Sequence, residues 1–386
     1  MTARALEGPI LAGVDAHPPV PRARSAPKSR AAVDGLRRLA VRLGPGAKLP
    51  TVAQLRREFS VSTSTLDGAL GQLENEGILR CVRGSGVYVA DGFKRAVVLI
   101  CAPGFLAAGH SPFWDLLAEA AQSRARAAGQ EWGFHFAQPH GEAGLGLHPG
   151  LVEDLECGRI QGVLAVGLDP EVPEWLEQRG VSCVSFAGTG RYAVGLNYET
   201  ILAAGMETLI ARGCRRIRVW QPKGLYQSGE YSQRAAASAR KACKSVLSAH
   251  GLAGDFREWE LTGVSGTTSL SHREQGQILA KRWFGPAANG RTVPDGLLLS
   301  DDMMAWGVLE TLLDLGIVPG RDLQVASHAN RGSPVLAGFA DRVIRVEVDP
   351  AEIVETVFRL LEDLMAGSEP AEQLTRIGPA AVATPK

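Results

Sequence analysis

The chain has 386 residues, 45% hydrophobic and 21% charged, with a formal net charge of zero. That length excludes a single ordinary domain and suits two or three, and the composition is that of a soluble globular protein. The zero hides an asymmetry: residues 1–92 carry 13 Lys/Arg against 8 Asp/Glu, and the remainder 28 against 33. A small basic module ahead of a larger acidic one points to nucleic-acid contact at the N-terminal end only.

The first 24 residues, rich in Pro, Ala and Arg, read as a flexible tail. They lack the continuous apolar run of a secretory signal or a membrane span. Cys81, Cys101, Cys157, Cys183, Cys214 and Cys243 are widely spaced, with no CxxC. They read as reduced cytosolic thiols, several of them inside apolar runs.

Structure is expected from Ser25. Residues 29–43 place Val33, Leu36, Leu39 and Leu43 at helical spacing with arginines opposite, and Gly44-Pro45-Gly46 ends the helix. Thr51 is suited to cap a short helix holding Val52, Leu55 and Phe59. Ser60 and Val61 form a tight turn, and Ser62 caps a second helix whose inward face is Leu66, Ala69, Leu70 and Leu73. Two helices across so short a turn make a helix-turn-helix. Behind it, Ile78–Val82 and Val87–Ala90 flank Arg83-Gly84-Ser85-Gly86 as a hairpin, which completes a winged helix over residues 25–92. Its second helix can enter a major groove, and Arg80 and Arg83 beside the wing tip can reach phosphates or a minor groove.

Residues 49–90 resemble the DNA-binding domain of GntR-type regulators. The resemblance is carried by Leu49-Pro50-Thr51, Leu55, Val61-Ser62, Thr65, Ala69-Leu70, Leu73-Glu74, Glu76-Gly77, Gly84, Gly86 and Val89. It implies DNA contacts from Arg56, Ser62, Thr63, Ser64, Thr65 and Gly84. Two positions depart from the family, which often has arginine where this chain has Thr63 and Asp67. A hydroxyl cannot make arginine's bidentate contact to guanine, and an acid facing DNA is unfavourable unless it accepts from a cytosine amino group.

From about Arg95 short apolar runs (AVVLICAP, IQGVLAVGLD, VSCVSFAG, RRIRVWQP, DGLLLSDD, DLQVASHA) alternate with amphipathic helical patterns. That alternation predicts parallel sheets covered on both faces. About 290 residues suit two α/β lobes, with a ligand cleft between them at the C-terminal ends of the strands. SPFWDLLAEAAQSRARAAG, LIARGCRRIRVW and SDDMMAWGVLETLLDLGIVPGRDLQVASHAN resemble, in order and spacing, the effector domain of LacI-type regulators. The fold class expected is thus α/β: a winged helix-turn-helix, then a two-lobed type I periplasmic-binding-protein-like domain over 93–386. Lobe one is expected at 93–193 plus 345–369, and lobe two at 194–342 plus 370–386.

The resemblance implies a pocket. Arg234 matches an arginine that holds ligand oxygens, as its planar fork suits. Asp301 matches an acceptor of ligand hydroxyls, while Asp302 is the candidate cap of the next helix. Ser111, Pro112, Phe113 and Trp114 offer a polar contact and an aromatic platform for a sugar ring. The aspartate often used for ligand binding is matched by Ala329, which leaves His328 or Asn330 to substitute. Trp220, Tyr226 and Tyr231 either line the cleft or pack in the core.

No HExxH, GxSxG, phosphate loop or complete dinucleotide loop occurs, so neither metal nor cofactor is expected. The reading is a cytoplasmic homodimeric regulator, a repressor of operator DNA, with a sugar or sugar derivative as effector. The alternatives are a sugar-binding transport protein, a sugar-processing enzyme, or a regulator whose sensor only dimerises.

Overall fold

The computed structural model of the chain describes residues 27–102, 111–138, 146–222, 230–252, 260–262, 270–286 and 292–385; side chains are described for these except at 27, 230–236 and 260–262. The architecture is an N-terminal winged helix followed by two α/β lobes.

In the winged helix, α1 (Pro27–Leu43), α2 (Val52–Phe59) and α3 (Thr63–Asn75) precede a hairpin of β1 (Leu79–Val82) and β2 (Gly86–Val89). Val33, Leu36, Leu39, Leu55, Leu66, Ala69, Leu70 and Leu73 form one buried cluster, the stripe that the helical periodicity defines. Leu43 is an exception: it sits at the end of α1 and is 38% exposed. The turn between α2 and α3 is made by Ser60, whose φ of 52° lets the C-cap N–H reach back to the carbonyls of Arg56 and Arg57.

Lobe one holds a six-stranded, wholly parallel sheet. Its strands are β3 (Ala96–Cys101), β4 (Glu131–Phe136), β5 (Gly162–Val166), β6 (Ser182–Phe186), β7 (Ala193–Leu196) and β13 (Leu374–Ile377), in the order β13-β7-β6-β5-β3-β4. The helices α4 (Phe113–Ala127), α5 (Pro149–Glu156), α6 (Glu171–Gln178) and α11 (Pro350–Met365) belong to this lobe. Lobe two holds β8 (Ile217–Pro222), β9 (Glu260–Thr262), β10 (Gly296–Leu299), β11 (Gln324–Asn330), β12 (Ile344–Val348) and β14 (Ala381–Ala383), in the order β14-β12-β11-β10-β8-β9. Only β14 runs antiparallel there. Its helices are α7 (Tyr198–Ala211), α8 (Glu230–Ala249), α9 (His272–Phe284) and α10 (Asp302–Asp314).

The lobe boundaries differ from the sequence expectation. The Ile344–Val348 strand pairs with β11 and β14 in lobe two rather than opening the return to lobe one. The Leu374–Ile377 strand pairs with β7, in lobe one. Which sheet accepts a strand is set by distant partners that periodicity does not report.

Two contacts position the functional surfaces. Helices α9 and α10 cross at glycines: a Cβ at Gly276 would collide with the Met304 carbonyl, and one at Gly307 with the Arg273 carbonyl. The backbones therefore approach closely, and the start of α9 is held against the start of α10. At the other end of the molecule, α1 lies against lobe one. Val41 is buried in that lobe's core, and its carbonyl accepts from Arg95 Nη2 at 2.8 Å. The Arg37 stem lies beneath Gly158.

Candidate nucleic-acid interface and ligand pocket

In the winged helix, a capping box fixes the start of α2: Gln54 N–H donates to Thr51 Oγ1 at 3.4 Å, and Thr51 N–H to Gln54 Oε1 at 2.9 Å. Ser62 caps α3 by accepting from Thr65 N–H at 3.2 Å, and its hydroxyl is also 2.8 Å from Thr65 Oγ1. Both hydroxyls are therefore committed to holding the helix start; Ser64 is exposed but its hydroxyl lies 3.1 Å from Ser62 Oγ, and Thr63 is exposed beside it. Arg56 on α2 is exposed, as are Arg83 and Gly84 at the wing tip, where Gly84 has a φ of 78°. Arg80 is less free than the sequence suggests. It lies over the Tyr88 ring at 5.5 Å and pairs loosely with Asp91 at 3.5 Å.

Sequence reasoning missed Lys48. A single β-bridge to Tyr88 draws it onto the wing, with Nζ 5.7 Å from the Tyr88 ring centre. One bridging residue leaves no periodic trace. Lys48 and Arg80 lie over one aromatic ring of the wing, and the exposed Arg83 stands at its tip.

The second site lies at the C-terminal ends of the lobe-two strands. The helix cap falls to Asp301 rather than Asp302. Asp301 is the N-cap of α10: Oδ1 accepts from Met304 N–H at 2.8 Å, and Oδ2 lies 3.0 Å from His272 Nδ1. Asp302 is the one that lines the pocket, accepting from Asn330 Nδ2 at 2.9 Å. Each carboxylate oxygen of Asp301 thus makes one of these contacts and keeps a further acceptor site.

Burial dominates the electrostatics. It pushes the Asp302 carboxyl up to about 7, with the neighbouring Asp301 charge adding to the effect. Burial also holds His328 down at about 4. Burial disfavours charge on Asp301 and His272 as well, yet each supplies the other's counter-charge, so Asp301 is lowered and His272 raised. Both ring nitrogens of His328, and Asn330 Oδ1, are buried without a hydrogen-bond partner among the described residues. The His328 ring meets Tyr198 edge-on at 6.2 Å.

Asp302, Ala329, Asn330, Gly332, Ser333, Leu336, Arg345 and Glu347 line a cavity of about 40 Å³. Arg345 and Glu347 were not legible because they come from β12, brought alongside β11 by the pairing of Ser327 with Arg345 and Ala329 with Glu347. Lobe one approaches here: a Cβ at Gly332 would lie 3.8 Å from Leu116 of α4. At the start of that helix Phe113 is core, 7% exposed and stacked near Phe186, so it is no platform. Ser111 accepts from Phe113 N–H at 3.3 Å, and Trp114 is half-buried, 6.1 Å from Phe186. Trp220 is wholly buried near Phe284, which decides for core packing. Tyr226 and the side chains of Tyr231 and Arg234 lie outside the described residues.

Two family models match the chain. That of bacterial regulatory proteins of the gntR family covers residues 32–89, and that of the periplasmic binding protein-like domain covers residues 206–383. The chain joins a gntR-family DNA-binding domain to a periplasmic-binding-protein-like domain. The first of these is a family of regulatory proteins, and its match lies on the winged helix.

Among relatives, the HTH-type transcriptional repressor YtrA of Bacillus subtilis is 37% identical over 54 residues, 14% of this chain and 42% of YtrA's length. The match thus spans under half of that relative. Among solved structures, the transcriptional regulator CelR in complex with cellobiose superposes with a TM-score of 0.54 at 17% identity, covering 93% of this chain and 99% of CelR. A lac repressor dimer bound to operator and an anti-inducer gives 0.56 at 16%, covering 76% and 94%. At such identities the likeness is one of fold. No helix among the described residues is long and apolar enough to cross a membrane, and no group of three metal-ligating side chains occurs among them.

Proposed function

We propose that the chain is a cytoplasmic, dimeric repressor whose grip on operator DNA responds to a sugar or sugar derivative bound between the lobes. One observation carries the ligand half: Asn330, bonded to the buried acid Asp302, keeps a buried, unpartnered Oδ1 and lines the cavity beside Gly332, which faces Leu116 of lobe one; His328, two residues back on the same strand, is likewise buried and unpartnered among the described residues. Buried polar groups without partners are costly, and a hydroxyl-rich ligand supplies the missing donors and acceptors. CelR binds cellobiose on the same fold, and YtrA is a repressor; both support the sugar and the sign.

A homodimer would set two winged helices on pseudo-palindromic half-sites. The outer strand of lobe one supports this, since Phe134 and Phe136 on β4 are exposed as an edge-to-face pair 4.9 Å apart. The test is fluorescence anisotropy of the full chain on its own upstream DNA, across salt, with and without a panel of sugars. Tight, salt-steep binding that one sugar releases is the expected result. Binding indifferent to every sugar would remove the effector claim.

A second reading has its own support. The cavity, about 40 Å³, is far below the ~300 Å³ at which ligand pockets begin, and Ala329 stands where an acid is common. On that reading the lobes only dimerise, and calorimetric titration with the same sugars gives no heat.

A further inference from the structure

We propose that Asp67 is a base-reading residue that selects cytosine in each operator half-site. The inference rests on the DNA-binding reading above. The buried side of α3 is Leu66, Ala69, Leu70 and Leu73, so the opposite arc is what a major groove would meet. That arc carries Ser64, Gly68, Gly71 and Gln72 through its first three turns, with the exposed Thr63 and Asp67 on its flank. A Cβ added at Gly68 or Gly71 would touch nothing. Asp67 is thus the longest side chain beside the early part of this face, with a glycine next to it and another one turn on. The glycines remove the side chains that would hold the helix off the base edges, which a one-carbon stem needs if its carboxylate is to reach them.

The other acids of α3 are already committed. Glu74 accepts from Cys81 N–H at 2.7 Å, tying the helix to β1, and Glu76 pairs with the buried Arg37 at 2.6 Å. Asp67 is exposed and makes no hydrogen bond or ion pair among the described residues. Lys48, Arg56, Arg57, Arg80 and Arg83 lie on α2 and the wing and on the segment before them, placed to meet phosphates. A lone carboxylate amid these cations is repelled by every acceptor on a groove floor: guanine O6 and N7, adenine N7, thymine O4. Cytosine offers the N4 amino donor with no acceptor on its own major-groove edge. Asp67 therefore accepts from that amino group and rejects the other bases.

The full chain and D67A are each used to select from a randomised duplex library, and the best sequence is then rebuilt with pyrimidin-2-one, which lacks the 4-amino group, in place of the cytosine. The unaltered protein should enrich a half-site with cytosine at one position, and D67A should lose that preference while keeping the others. Removing the 4-amino group should weaken the unaltered protein about tenfold and D67A by less than twofold. An equal loss in both proteins, or an unchanged cytosine preference in D67A, overturns the assignment. No enriched sequence at all from the unaltered protein overturns the DNA-binding reading itself. Because Asp67 is exposed, matching melting curves will show that D67A is folded.

Discussion

The face of α3 and the pocket of lobe two both present polar groups that no other protein group satisfies, but one set is in water and the other is buried. On α3, Thr63 and Asp67 are exposed to water, so the absence of a protein partner costs the fold nothing. In lobe two, His328 and Asn330 are 5% and 7% exposed, and their free atoms carry a desolvation penalty. An exposed polar surface gains meaning only from the pattern of its charges. A buried one marks a site by its cost alone, and it should show up in stability as well as in binding.

The sharpest break in the comparison is a change that disturbs the buried site without touching its polar atoms. Gly307→Ala drives a methyl into the Arg273 carbonyl. It should part α9 from α10, pull His272 from Asp301 and cost about 1–3 kcal/mol or more in denaturant unfolding. Lobe two should lose its ligand response, while the winged helix still binds DNA.

Next come the titrations, whose signs oppose. Asp302 moves from an ordinary 3.8 up to about 7 in the folded chain. The stability it contributes is present below about pH 4 and lost as pH rises toward 7. His328 moves from 6.5 down to about 4, so its contribution is present above 6.5 and lost as pH falls through 4. The two slopes offset one another in the unaltered protein. Asp302→Asn should leave stability rising more steeply with pH between 4 and 7, and His328→Leu should tilt it the other way. Thermal melts across that range distinguish these outcomes from equal curves for all three proteins.

On the exposed side the effects are smaller. Ser62→Ala removes the cap of α3 and should cost about 1 kcal/mol, with a larger proportional loss of DNA affinity than of stability. Arg83→Ala should leave the melting temperature unchanged and lower the salt slope of DNA binding by about one unit. If Arg83→Ala instead alters sequence preference, the wing reads bases.

The winged helix was legible almost residue by residue, because caps, turn and hydrophobic stripe are all local. Thr51, Ser62 and the Leu66–Leu73 face stand as the pattern requires. The lobes were legible as a class, but their pocket was not. Asp301 and Asp302 are adjacent and chemically identical, and only the end of β10 and the nearness of His272 decide which caps and which faces inward. Arg345 and Glu347 reach the pocket through strand register, a property of two distant segments together. Phe113 was expected as a platform from the resemblance, yet it packs with Phe186 in the lobe-one core.

Helix α1 belongs to two cores at once, with Leu36 in the winged helix and Val41 in lobe one. The DNA-binding domain is therefore mounted on the sensor rather than tethered to it. Seventeen residues at 1.5 Å each make a rigid arm ~25 Å long, so tilting lobe one by roughly 5° swings its far end by about 2 Å. Such a swing exceeds the tolerance of a hydrogen bond. On the function proposed above, a small motion between the lobes would be geared up to one that a groove can feel.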